Sequence, residues 1–235
     1  MILGQPLIEI FKGSIVMIIL LICSVIALAL IIERFLYFAR NSFDTRIGFL
    51  RFSQILRNQG VSSALAYAQQ KKNPLYGLFA VALQNQHLDA ENLYDVLSSY
   101  VIEEKLKFDR YLGGMGTLAN AATLLGLLGT VTGLIRAFHN IAITGSGGPA
   151  VISAGIAEAL LTTAFGLFIG IPTLFFYNYY TKKSNELALA LEGTCDKLIV
   201  LLDTMRKKSP APNPEPTITP KQPSSPPPED TTWKF

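Results

Sequence analysis

YLGGMGTLANAATLLGLLGTVTGLI, residues 111–135, carries no charged side chain from end to end. At 1.5 Å per residue, a helix over this stretch can cross about 30 Å of hydrocarbon. Two other runs share the property, Gly13–Ile32 before it and Ala159–Thr181 after it. The whole chain is half hydrophobic and only 16% charged, against roughly 25% for a soluble domain. Because the charge is missing from three long blocks rather than thinned evenly, the fold class is an all-α integral membrane protein with three transmembrane helices. The first run exceeds the usual signal-peptide core of about 7–15 residues. Glu33 and Arg34 follow it directly, with no small-residue cleavage site, so it reads as a retained span.

Lys and Arg set orientation, because cationic segments beside spans are held on the cytoplasmic side. Of 20 such residues, ten lie from Arg34 to Arg110 and eight follow the third span, leaving only Lys12 and Arg136 for the other side. The expected organisation is an external N-terminus over 1–12 and a transmembrane helix over 13–35. A cytoplasmic helical segment over 36–112 leads into the second transmembrane helix at 113–138. A short external loop (139–153), a third transmembrane helix (154–181), a cytoplasmic helix (182–208) and a disordered Pro-rich tail (209–235) complete it. Nine of the 13 prolines fall in that tail, a composition that cannot bury enough apolar surface to offset its ordering entropy. A docking motif around Pro220–Pro228 is a weaker alternative to a plain tether.

Within the cytoplasmic segment, Asp89 is a fair N-cap. Leu93, Val96, Leu97, Tyr100 and Val101 recur at helical spacing and make one apolar stripe. No proline interrupts this helix before the second span, and Gly113, Gly114 and Gly116 mark the expected place for a bend. No phosphate-binding loop is present. His87 and His139 stand alone, and Cys23 and Cys195 form neither a metal spacing nor a disulfide framework. The reading is non-enzymatic, with no cofactor, metal or nucleic-acid partner.

The second and third spans are rich in small and hydroxylated residues. Gly129–Gly133 and Gly166–Gly170 are GxxxG patterns that let helix backbones approach closely, and Gly126 adds a further small position. They suit packing within the hairpin, within an oligomer, or both. At 100° per residue, Asn120, Thr123 and Thr130 share one side of the second helix. Glu158, Thr162, Gly166 and Thr173 share one side of the third, with Thr163 at its margin. A carboxylate in or beside a span is a functional candidate by default, with snorkelling at the outer interface as the bland alternative. Thr130 and Thr163 each fall about 12–13 Å below the outer surface, which makes a hydroxylated layer. Hydroxyls can hold water or bond a carboxyl, but they do not titrate near neutral pH. Pro172, inside the third span, removes one backbone hydrogen bond and is a candidate kink.

At these residues the sequence resembles a known family. Leu124-Leu-Gly-Leu-Leu-Gly-Thr-Val-Thr-Gly-Leu-Ile-Arg-Ala-Phe138 is similar to the second-span signature of the ExbB/TolQ/MotA proton-channel family. Gly155-Ile-Ala-Glu-Ala-Leu-Leu-Thr-Thr-Ala-Phe-Gly166, with Ile171-Pro172 and Tyr177-Asn178, resembles its third-span signature. The likeness covers roughly residues 10–205 and is strongest over 112–180. It implies a homo-oligomeric ring, a pentamer, around an ExbD/TolR-like single-span partner that contributes a membrane aspartate. It further implies that proton-motive force at the bacterial inner membrane drives a TonB- or TolA-like transducer. The family's pore threonines correspond to Thr130 and Thr163, and its third-span glutamate to Glu158. Thr123 stands where the family commonly has proline, and the tail is longer than the family's. A non-conducting structural scaffold and a flagellar-type stator are the alternatives, although the stator subgroup usually has four spans.

Overall fold

The structure, a computed structural model, describes residues 15–144 and 149–208. The expected external N-terminus, part of the expected outer loop, and the Pro-rich tail with Pro220–Pro228 lie outside the described residues. Six helices form the described chain: α1 (Ile15–Arg40), α2 (Thr45–Gln69), α3 (Pro74–Gln84), α4 (Ala90–Asp109), α5 (Leu112–Thr144) and α6 (Pro149–Lys208). Three of the helical stretches are long and apolar enough to cross a membrane.

Local chemistry starts the shorter helices. Asp44 caps α2, accepting from the N–H groups of Arg46 (2.8 Å) and Ile47 (3.1 Å). Asn73 caps α3 by accepting from Leu75 N–H at 3.0 Å, and Pro74 sits where its missing donor is not needed. Asp89 caps α4 through Asn92 N–H at 3.1 Å, at the position that the sequence indicates. Gly60, at φ 85°, interrupts α2 in a backbone region that side chains with a Cβ avoid.

The helices build two contiguous packings. In the membrane, Val16, Leu20 and Ala27 of α1 pack with Ala122 of α5 and Ile169 of α6. The rest of α1 presents Ile18, Ile22, Val25 and Leu28 outward, which suits a lipid-facing helix. Outside the membrane, α2, α3, α4 and the distal half of α6 enclose an apolar core that includes Leu97, Leu191 and Leu198. Phe52 stacks on Phe79 at 4.2 Å, and Phe38 on Tyr180 at 5.4 Å, tying the end of α1 into this bundle. The stripe read from the sequence is on the packed face, with Leu93, Leu97 and Val101 buried.

The passage from bundle to second span departs from expectation. The break comes at Arg110–Tyr111, where Tyr111 takes φ 66°, while Gly113, Gly114 and Gly116 lie inside α5. A buried arginine accounts for it. Arg34 is 1% exposed and donates from Nη1 to the carbonyls of Lys107 (3.3 Å) and Phe108 (3.2 Å). Those carbonyls belong to the last turn of α4, where intrahelical partners run out. Glu33 balances the charge, accepting Arg34 Nη2 at 2.7 Å, and the Tyr37 ring lies 4.5 Å from the guanidinium. A cation from the end of α1 therefore closes α4, and α5 starts afresh as a separate helix.

Candidate functional site

The α5–α6 hairpin is held by backbone approach. A Cβ added at Gly166 would sit 2.6 Å from the Ala122 carbonyl oxygen and 2.8 Å from Gly126 Cα. At Gly126 it would meet Gly166 Cα at 3.1 Å, at Gly129 it would meet Thr162 Cβ at 2.5 Å, and at Gly133 it would meet Ala159 Cβ at 2.9 Å. Gly170 is closed by Ala119 O at 2.9 Å and by the Thr123 hydroxyl. All five glycines that the sequence marks for close packing thus mediate contact between the two spans of one chain.

This register decides where the hydroxyls go. Thr163 Oγ1 donates across the hairpin to the Gly126 carbonyl at 2.9 Å. By helix periodicity that carbonyl also receives the backbone N–H of Thr130, four residues on. Thr130 and Thr163 therefore belong to one layer. The Thr130 hydroxyl donates to Leu127 O at 2.6 Å and is half-buried. Thr162 is 1% exposed, donates to Ala159 O at 2.6 Å and packs against Gly129. Thr173, also buried, donates to Ile169 O at 2.7 Å. Thr123 is exposed overall, but its hydroxyl lies against Gly170 of α6 and donates to Ala119 O at 3.2 Å. The stripe drawn on the third span therefore divides. Thr162, Gly166 and Thr173 face the protein interior, whereas Glu158 and Thr163 keep partial access. Pro172 lies inside α6, which continues as helix on both sides.

Glu158 has a partner that the sequence reading missed. Arg136 Nη1 of α5 lies 3.2 Å from its Oε1, with the two side chains 49% and 29% exposed. From the sequence alone, Arg136 bears only on the orientation of the chain. The glycine register held the signal: with Gly133 against Ala159 in an antiparallel hairpin, Arg136 is within one turn of Glu158. The pair spans the two helices eight residues before the end of α5 and nine after the start of α6. The site thus consists of an ion pair and, further along the hairpin, two hydroxyls on neighbouring backbone carbonyls, Thr163 on Gly126 O and Thr130 on Leu127 O. Among the described residues no three His, Cys, Asp or Glu side chains gather as metal ligands.

Comparison with known proteins places this hairpin in context. The sequence pattern of the MotA/TolQ/ExbB proton channel family matches residues 70–193, which include α4, α5, the ion pair, Thr130 and Thr163. A putative biopolymer transport protein ExbB-like 1 of Synechocystis sp. is 32% identical over 176 residues, covering 71% of this chain and 66% of that protein. The biopolymer transport protein ExbB of Xanthomonas campestris pv. campestris is 29% identical over 125 residues, 53% of this chain and 47% of its own length. The Tol-Pal system protein TolQ of Pseudomonas aeruginosa is 34% identical over 87 residues, 37% of this chain and 38% of its own. The matched region thus spans less than two thirds of each of these relatives.

Proposed function

This chain belongs to the MotA/TolQ/ExbB proton channel family, and on that premise we propose that it is the channel subunit of a membrane motor. In this reading a homo-oligomeric ring, a pentamer, surrounds an ExbD/TolR-like single-span protein in the bacterial inner membrane. The N-terminus is periplasmic and the C-terminus cytoplasmic. Proton-motive force moves the partner, which does mechanical work on a TonB- or TolA-like transducer.

The observation that carries the reading is the polar axis of the α5–α6 hairpin. Glu158 pairs with Arg136 across the hairpin, and further along it the hydroxyls of Thr163 and Thr130 lie on the neighbouring carbonyls of Gly126 and Leu127. A carboxylate there can be charged at modest cost because its counter-ion is present. A partner's carboxyl reaching the layer would find hydroxyls able to bond either of its protonation states. The Lys and Arg bias supports the orientation. Ring formation is supported outside the spans, where Ile102, Leu106, Leu189 and Val200 stand exposed on α4 and α6. Such residues gain from cover by another copy.

One observation favours the scaffold alternative: both pore-layer hydroxyls are already satisfied by backbone carbonyls within the chain. Proton flux into liposomes containing the chain and its partner, with Thr130→Val and Thr163→Val beside the parent, separates the two. Loss of flux with intact assembly supports the channel, and undiminished flux in both variants supports the scaffold.

A further inference from the structure

Beyond the spans, an open cleft of about 420 Å³ lies between the end of α1, the turn joining α2 to α3, and α4. Tyr37, Asn41, Lys71, Lys72 and Lys107 are among its walls. A second cleft of about 410 Å³ adjoins it, shares Tyr37, Asn41 and Lys72, and adds Leu36 and Arg40. Two acids border these clefts and both are neutralised: Glu33 by Arg34, and Glu104 by Lys107 at 2.7 Å. Lys71 reaches the Tyr76 hydroxyl at 3.4 Å, a neutral partner. Among the described residues, Arg40, Lys71 and Lys72 make no ion pair with a carboxylate. The clefts therefore carry three uncompensated positive charges over polar walls that can donate hydrogen bonds.

Their height along α1 says what meets them. The uncharged run ends at Ile32, one to two turns before Leu36 and Arg40. Phe35 and Leu36 are exposed at 61% and 54% on the same stretch. Apolar side chains suited to acyl chains thus give way, within a turn, to cations suited to phosphate. A soluble anion would have no use for the apolar margin.

We propose that these joined clefts bind the phosphate headgroup of an anionic phospholipid, whose acyl chains lie along α1 beside Phe35 and Leu36. Basic pockets beside spans recognise such headgroups, each Lys or Arg near the surface contributing about a fivefold gain in affinity. The bound lipid would join α1 to the α2–α3 turn and to α4, next to the Arg34 junction that positions α5. This inference concerns binding and stands independently of proton conduction.

The test uses the full chain purified in a neutral detergent. It is titrated with dioctanoyl phosphatidylglycerol or dioctanoyl phosphatidylcholine, and bound lipid is counted by native mass spectrometry. The parent should prefer phosphatidylglycerol. Arg40→Gln, Lys71→Gln and Lys72→Gln should each reduce that preference by about fivefold. Lys182→Gln with Lys183→Gln, cations beyond the third span, should leave it unchanged. Unaltered thermal unfolding of the exposed Lys72→Gln variant keeps the result readable even if Arg40→Gln or Lys71→Gln is unstable. Equal binding of the two lipids, undiminished preference in the Gln variants, or displacement of the lipid by excess inorganic phosphate would each overturn the proposal. The last result would mark a site for soluble phosphate.

Discussion

Arg136 of α5 and Glu158 of α6 meet across the hairpin, with Nη1 3.2 Å from Oε1. Both are partly exposed, so the attraction between them contributes at most about 1 kcal/mol to stability. A pair this weak holds the carboxylate in place while leaving it free to change partner. Glu158→Gln should therefore leave expression and partner copurification near normal while suppressing energised uptake or envelope integrity. The exchanged variant, Arg136→Glu with Glu158→Arg, restores an ion pair but moves the carboxylate to α5, and it should remain inactive. Full activity in the exchanged protein would show that the pair only fastens the hairpin.

At the Thr layer, a hydroxyl is removed with little change of shape by valine. Thr163→Val loses the bond to Gly126 O, worth about 0.5–1.5 kcal/mol of stability. We expect both Thr163→Val and Thr130→Val to assemble with the partner and fail to do work, and serine at either position to restore part of the activity. Copurification paired with an uptake assay measures this. Parent-like work from both valine variants would reduce the hydroxyls to packing groups.

Gly166→Leu should splay the hairpin, because the first added carbon already lies 2.6 Å from a backbone oxygen that cannot retreat. We expect a loss of about 3 kcal/mol or more. Gly193→Ala is the control. Nothing lies within 4 Å of an added Cβ there, and exchanging glycine for alanine inside a helix gains about 0.5–1 kcal/mol. Thermal unfolding in detergent reads both, and opposite signs are expected.

Much of this architecture was legible because membrane spans announce themselves over long uncharged runs, and caps such as Asp89 act over three residues. The helix break was not legible. Glycines at 113, 114 and 116 drew attention by their propensity, yet the cause of the break lies in Arg34, 74 residues from Phe108. The same holds for the site. Glu158, Thr130 and Thr163 were visible by residue type and helical phase, but phase alone did not separate buried Thr162 from half-buried Thr163. That distinction needs the register of α5 against α6, which close glycine contacts set.

Arg34→Leu tests the junction. It removes two hydrogen bonds from a charged donor to the end of α4 and leaves Glu33 without its cation. A loss on the order of 3 kcal/mol is expected. Hydrogen exchange should accelerate around residues 107–115 before it does in the core of α6. Unchanged protection there would mean that the break is set by α4 and α5 alone.

The Cys195 thiol lies within the extramembrane core at 1% exposure. Burial, with Asp196 adding to it, pushes its pKa up to about 12. A raised thiol pKa keeps the group protonated, so thiolate at pH 8 is on the order of one part in ten thousand. Maleimide should not label Cys195 in the folded chain and should label it after denaturation. Rapid labelling of the folded protein at neutral pH would show that this core opens readily.

The uninterrupted course of α6 gives the two halves of the hairpin different mechanical characters. Sixty residues in one helix make a rod about 90 Å long, of which about 75 Å runs from the Arg136–Glu158 pair to the far end of the extramembrane bundle. A tilt of about 5° at one end, carried rigidly, displaces the other by about 8 Å. The α4–α5 limb has a joint at Tyr111 and passes no such displacement along its length. A small rotation in the membrane would therefore be amplified along one limb and absorbed in the other, as in a lever beside a hinge.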